Sequence, residues 1–291
     1  MKTFLSGLVM VVLVVGFSSC QKEVDGNLDN RTQIQSDSTI TKLVILDTTQ
    51  APGMDTMLLM LFTYDANKRL SKFSNIYFTA GTGIHEAKRD YSYNYTGNDS
   101  VPYRLLEDYQ ELIIPGGFKD TAYYFYQGGV LVKDSSTEFN GYYVNTYAKL
   151  SATRYRTVKL LVGMPPSSAD TCFSYLNWQN GNLLAEIDSE YLFQPRVLVN
   201  VAHNQMTYDN KINPLKKLFI PFQVPLYPSV VYNQYLVQFG ITPSANNVLT
   251  WQDDSGTSVL AYVYNAAGLP KIARAASGAN TIKFMYYYTM L

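Results

Sequence analysis

The feature that most limits what this chain can fold into is a recurring pair of aromatic residues flanking one other residue, followed by a polar turn and a second alternating run. It occurs as Phe62-Thr63-Tyr64 before Asp65–Arg69, and as Tyr124-Phe125-Tyr126 before Gln127-Gly128-Gly129. It returns as Phe173-Ser174-Tyr175 before Asn177–Asn182, and as Tyr262-Val263-Tyr264 before Asn265-Ala266-Ala267-Gly268. Looser copies lie at Tyr91-Ser92-Tyr93-Asn94-Tyr95 and Thr207-Tyr208-Asp209-Asn210-Lys211. With the second aromatic as marker (Tyr64, Tyr93, Tyr126, Tyr175, Tyr208, Tyr264), several copies stand roughly 30 residues apart, the length two strands and their connections require. Residues two apart share a face of a strand, so each aromatic pair lies on one side of a sheet. The Asn, Asp and Gly residues that follow tolerate the positive φ angles of tight hairpin turns. Runs such as Tyr142–Tyr147 and Arg196–Val201 are rich in β-branched and aromatic residues, which suit strands. The expectation is an all-β chain: an antiparallel meander of repeated hairpins forming one large curled sheet or partly closed barrel, with little helix. Two stretches depart from it: Asn213–Phe219, where Pro214 opens a short helical turn, and the apolar Ser229–Gly240, ambiguous between strand and helix.

The N-terminus speaks to location instead of fold. Lys2 precedes an apolar run from Phe4 to Phe17, which ends in Phe17-Ser18-Ser19-Cys20. A run of that length suits a cleaved secretion signal and falls short of the ~20 residues that span a bilayer as a helix. The ending resembles a bacterial lipobox, in which the cysteine is acylated and becomes the new N-terminus. This resemblance implies a signal peptide over residues 1–19 and a membrane partner reached through acyl chains on Cys20. Gln21-Lys22-Glu23-Val24-Asp25 resembles the short charged tag, carried here by Lys22 and Glu23, that sends Bacteroidetes lipoproteins to the outer face of the outer membrane. Residues 20–39 have few large apolar side chains and read as the lipidated cysteine and a polar tether. Residues 40–291 read as a single all-β domain.

Charge excludes some partners. The chain has 23 basic and 23 acidic residues, with no basic stripe of the kind nucleic acid requires. Its two cysteines are Cys20 and Cys172. With Cys20 acylated no intramolecular disulfide forms, so the fold rests on burial and hydrogen bonds. Cys172, inside an alternating run, reads as a buried inert thiol.

Four segments then follow in a recognisable order: Thr207–Lys216, Ser244–Val248, Tyr262–Lys271 and Ile282–Tyr288. With the earlier hairpins they resemble the tyrosine-aspartate repeats of bacterial secreted proteins. More narrowly they resemble a family of uncharacterised Bacteroidetes surface lipoproteins with a porin-like fold. Asn265 stands where the repeat prefers Asp. The resemblance implies a large curled antiparallel sheet and no particular activity, since a fold does not supply one.

The chain offers little chemistry of its own. His85 and His203 have no second histidine at metal-ligand spacing, and no Gly-x-Ser-x-Gly turn is present. A Cys172–His203 pair is allowed by spacing alone. Paired carboxylates are another route, with Glu107-Asp108, Glu186 with Asp188, and Asp253-Asp254 as candidates. The simpler reading makes Leu183–Ser189 a strand with one solvated polar face, and Asp253–Gly256 a turn. No catalytic residue, metal ligand or cofactor site is therefore assigned. The 25 tyrosines and 14 phenylalanines have two readings. Tyr91, Tyr93 and Tyr95 are a candidate platform for sugar rings, and with Phe284, Tyr286 and Tyr288 they are equally cross-strand ladders and core. The leading reading is a non-catalytic, surface-anchored outer-membrane lipoprotein that binds a glycan or an envelope protein, or serves a structural role. A secreted glycoside hydrolase using a carboxylate pair is one alternative. A transmembrane β-barrel is another, opposed by charge-alternating runs such as Arg154–Lys159 and by an end in Leu291 where outer-membrane barrels favour Phe.

Overall fold

The computed structural model describes residues 38–49, 55–79, 82–112, 116–138, 141–162, 169–192, 197–220, 224–225, 242, 244–278 and 280–290. The alternating runs become β1 (Ser38–Asp47), β2 (Asp55–Tyr64), β3 (Leu70–Phe78), β4 (His85–Asn94), β5 (Arg104–Glu111) and β6 (Gly116–Gln127). They continue as β7 (Val130–Glu138), β8 (Gly141–Lys149), β9 (Arg154–Val162), β10 (Ala169–Gln179), β11 (Asn182–Leu192) and β12 (Val197–Ile212). A 3-10 turn at Pro214–Leu218 and the short strands β13 (Phe219–Ile220) and β14 (Val224–Pro225) come next. The chain finishes with β15 (Asn246–Asp253), β16 (Gly256–Tyr264), β17 (Pro270–Ser277) and β18 (Asn280–Met290). Pro214 opens the short turn its position predicts. Ser229–Gly240, Cys20, Lys22 and Glu23 lie outside the described residues.

All strands except β13 and β14 form one closed antiparallel barrel of sixteen strands. Each pairs with its sequence neighbour, β12 pairs with β15, and β18 closes the circle by pairing with β1 from Ser38↔Met290 to Asp47↔Ile282. The expected curled or partly closed sheet is thus fully closed. Closure satisfies the backbone groups that an open sheet leaves bare on its two edge strands.

The hairpin turns alternate between two ends. At the end where β1 starts, inward-facing rings and aliphatic side chains fill the barrel. Phe73, Tyr91 and Phe284 are fully buried there with Ile40, Leu43, Met60, Leu105, Leu131 and Val248. Phe62 stacks on Phe73 and Phe73 on Tyr91 across β2, β3 and β4, with ring centroids 5.2 and 5.4 Å apart. This is the plugged end; the opposite end is called the mouth.

A ring of tyrosines ties the plugged end together. The hydroxyls of Tyr64, Tyr95, Tyr126, Tyr208 and Tyr288 donate to the backbone carbonyls of Ile40, Leu70, Pro102, Leu183 and Pro270 at 2.5–2.9 Å. In the first four, the acceptor lies 24 or 25 residues earlier, so each hairpin is clasped by the next. The clasping position is therefore Tyr95, one inward residue beyond the buried Tyr93. On β10 the buried Trp178 faces inward, while Tyr175 faces outward.

The turns follow local chemistry. Gly128-Gly129 and Asn180-Gly181 are two-residue hairpin turns with positive φ at both positions, the geometry that matches strand twist. Asp65 and Asn265 open matching turns. The Oδ1 of each accepts two backbone N–H groups, from Asn67 and Arg69 in one turn and from Ala267 and Leu269 in the other. One carbonyl-type oxygen suffices, which explains why Asn265 replaces Asp. Lys68, at φ 60°, occupies the place that Gly268 fills at φ 74°.

Two outcomes test this account by denaturant unfolding. Lys68→Gly relieves a left-handed non-glycine residue and raises stability by ~1 kcal/mol. Tyr64→Phe and Tyr126→Phe each lower it by ~1 kcal/mol through a lost hydrogen bond. The same change at outward-facing Tyr123 leaves it unaltered.

Candidate functional site

Away from the plugged end, strand alternation turns polar residues inward on one side of the barrel. One row of cross-strand partners runs Asp134, Asn145, Lys159, Cys172, Glu190, Asn200 across β7, β8, β9, β10, β11 and β12. Next to Cys172, Ser174 faces Asp188 across the same pair of strands, and Glu186 faces Asn204. On β5 and β6, Glu107 lies directly opposite Asp120.

Arg89 on β4 organises the Glu107–Asp120 region. Its Nη1 lies 3.2 Å from Glu107 Oε1, and its guanidinium sits over the rings of Tyr109 and Phe118 at 4.7 and 5.8 Å. Glu107 and Asp120 are 3 and 6% exposed. Asp120 Oδ2 and the Oδ1 of Asn75, which lies opposite Arg89 on β3, are buried with no hydrogen-bond partner. Burial raises the Asp120 carboxyl above its ordinary range, outweighing the opposing field of Arg89.

The second group is built on Asp134, which accepts from Asn145 Nδ2 at 2.7 Å and from the Tyr147 hydroxyl. Burial raises this carboxyl too, against those hydrogen bonds and the charge of Lys159. Lys159 lies 4.0 Å over the Tyr143 ring. Further round, burial and then the Asp188 charge push the Cys172 thiol up to about 11. A thiol held that high is protonated at neutral pH and is no nucleophile. Asp188 is itself raised by burial, with Glu190 adding to the effect and Ser174 opposing it. No cluster able to hold a metal occurs among the described residues. The wall is thus rich in acceptors and suited to groups that donate hydrogen bonds, flanked by Arg89, Lys159 and partly buried rings.

The sequence candidates separate clearly in space. Tyr91, Tyr93 and Tyr95 do share a face, but that face is the interior. Tyr91 and Tyr93 are buried core, and Tyr95, clasped to Leu70, is held up to about 12 by burial and by the Asp65 charge. An exposed platform is not what these three build. Cys172 points inward and His203 outward, so the wall separates them. His203 instead lies 3.2 Å from Asp254 on the surface, and His85 packs edge-on against Phe78. Glu107 and Asp108 point to opposite sides of the wall, Asp108 pairing outward with Lys119. Glu186 and Asp188 share a face as expected, but it is the lumen and not a solvated surface. Asp253 closes its turn by accepting from the backbone N–H groups of Ser255 and Gly256. The carboxylate pair that does meet, Glu107 with Asp120, was not among the sequence candidates, because only strand register brings it together.

A carboxyl raised above 3.8 binds its proton more tightly in the folded barrel than in the unfolded chain. Its ionisation therefore opposes folding, and stability falls as pH rises from 3.8 through the raised value. Asp120→Asn removes this loss. Thermal melts from acid to neutral pH show a shallower decline and a higher Tm at neutral pH than the parent. A steeper decline would refute the assignment.

No family model and no curated protein matches the chain. Solved structures do match in fold. A porin-like protein from Bacteroides uniformis ATCC 8492 superposes with a TM-score of 0.53 at 15% identity, over 86% of this chain and 98% of the other. A porin-like protein from Bacteroides vulgatus ATCC 8482 gives a TM-score of 0.50 at 10% identity, over 87% of this chain and 100% of the other. At this identity the similarity is one of fold: the chain is a porin-like β-barrel in architecture.

Proposed function

We propose that this chain is a non-catalytic, lipid-anchored outer-membrane lipoprotein whose barrel stands in water, facing the cell exterior, and binds a ligand rich in hydrogen-bond donors, such as a glycan, through its polar lumen. The observation that carries this reading is the outer wall. At mid-strand, Asp90 faces outward and is held by Lys88 and Lys72 at 2.8 and 3.1 Å and by the Ser74 hydroxyl at 2.6 Å. Burial works upward on Asp90, but these partners outweigh it and keep the carboxyl below its ordinary range. Asp108 and Lys119 continue the charged band at 3.3 Å, and Arg274 on β17 is a further exposed cation. Exposed Leu106, Leu160, Ile187 and Val259 share this wall, but a wall crossing hydrocarbon carries an apolar band unbroken by such charges, and a cation at the midplane costs ~2–4 kcal/mol. A barrel of this kind needs the separate anchor that the lipobox at Cys20 supplies.

The lumen supports the binding role. Tyr109, Phe118 and Tyr143 offer ring surface beside Arg89 and Lys159. The pairing of Glu107 with Asp120 favours a hydrolase as the second reading, but both are buried beneath Arg89 and out of reach of a substrate.

The test is a thermal-shift screen of the mature chain carrying Cys20→Ser, in detergent-free buffer, against bacterial and host polysaccharides. The protein folds without detergent, one glycan class raises Tm, and Arg89→Ala abolishes that shift. A chain that folds only in detergent overturns the water-exposed barrel. Hydrolysis lost with Asp120→Asn would establish the hydrolase instead.

A further inference from the structure

We propose that the plugged end is a docking face for the anionic headgroup surface of a lipid bilayer, held flat against the membrane in which Cys20 is anchored; this rests on the lipid anchor proposed above. The two ends of the barrel differ in charge. From the β8–β9 turn round to the β16–β17 turn, the plugged end exposes Lys149, Arg154, Lys211, Lys216 and Lys271. The acid within this arc, Asp209, is half-buried, its carboxylate accepting from the Asn247 amide and the Tyr264 hydroxyl. Outside this arc, Asp65 is paired with Arg69 at 2.7 Å and Asp99 is exposed in the β4–β5 turn. At the mouth, by contrast, Glu86, Glu111 and Asp254 are exposed.

Large apolar side chains are interleaved with these cations. Leu150 follows Lys149 and is 48% exposed, Ile212 follows Lys211 and is 46% exposed, and Tyr103 and Phe125 stand out from the same end. Alternating cations and bare apolar side chains are what a surface needs to sit among phosphate headgroups, the cations meeting phosphate and the apolar groups reaching past it. The chain path agrees. β1 begins at the plugged end, so the 17 residues between Cys20 and Ser38 (21–37) enter there. They span at most roughly 60 Å fully extended, which lets this end touch the bilayer without forcing it to. Charge complementarity then selects the touching orientation and leaves the acidic mouth facing away.

The experiment uses the mature chain with Cys20→Ser, so that no acyl chain contributes, and sedimentation with two kinds of vesicle. One is phosphatidylcholine alone, and the other equal parts phosphatidylcholine and phosphatidylglycerol. The expected result is at least roughly tenfold tighter binding to the anionic vesicles, lost in high salt as screening requires. The Lys149→Glu, Arg154→Glu, Lys211→Glu variant loses it while keeping the parent Tm. Glu86→Lys with Glu111→Lys, at the mouth, leaves it unchanged. Equal binding to both vesicles, or binding that survives the triple charge reversal, overturns the proposal. Mass spectrometry of Cys20 in the wild-type chain reports separately on the anchor. An unmodified cysteine refutes the lipoprotein reading while vesicle binding still reports on the face itself.

Discussion

Everything in this barrel depends on the antiparallel pairing of β1 with β18. The meander from β1 to β12 and from β15 to β18 is built from neighbours in sequence, and each hairpin turn supplies its own register. The last pairing has no such help: the Thr41 hydroxyl and the Tyr287 carbonyl it reaches are 246 residues apart. Without that seam, β1 and β18 are open edges, and the inward face of Leu43, Ile45, Phe284 and Tyr286 loses the far side of its core. A sheet of this length either closes or curls away with both faces wet, and the packed aromatic plug favours closure.

The hairpins were legible in the sequence because their causes are local. Asn180-Gly181 and Gly128-Gly129 fix two turns by backbone geometry alone, and Asp65 and Asn265 fix two more through one side-chain oxygen. Closure was not legible, since nothing near Ser38 refers to Met290. The direction each face points was harder still. Alternation separates two sets of residues without saying which is interior, and here both sets mix aromatic and polar members. On β2, β6 and β16 the aromatic pair turns inward, whereas on β10 Tyr175 faces out and Trp178 takes the inner place. The same ambiguity made Glu186 and Asp188 read as a solvated face when they line the lumen.

The candidate site illustrates a second limit. Glu107 and Asp120 are unremarkable in sequence, and Arg89 lies on yet another strand. Register across β4, β5 and β6 converts three scattered residues into one buried group. Its cost is desolvation of the two carboxylates, met at Glu107 by the Arg89 guanidinium 3.2 Å away and left standing at Asp120, whose carboxyl burial raises. On β3 to β6 the outer wall carries charge at mid-height, around Asp90, Asp108 and Lys119. Fold similarity to porin-like proteins follows from strand number and closure, while the outward half of each strand varies separately, mixing the charges of Asp90, Lys88 and Lys119 with exposed Leu106, Leu160, Ile187 and Val259.

The seam between the first and last strands also sets the order of events in folding. As the chain is made, β1 emerges first and its free edge has no partner until β18 is complete. Hairpins clasped by tyrosines can accumulate one after another meanwhile, but each leaves a growing ribbon with two sticky borders. Such intermediates associate with copies of themselves. Closing a loop of this size is slow, because so much of the chain must be ordered before the final contacts reward it. The protein is most vulnerable to aggregation while it still lacks its last eleven-residue strand, and truncation there does more harm than loss of any single hairpin turn.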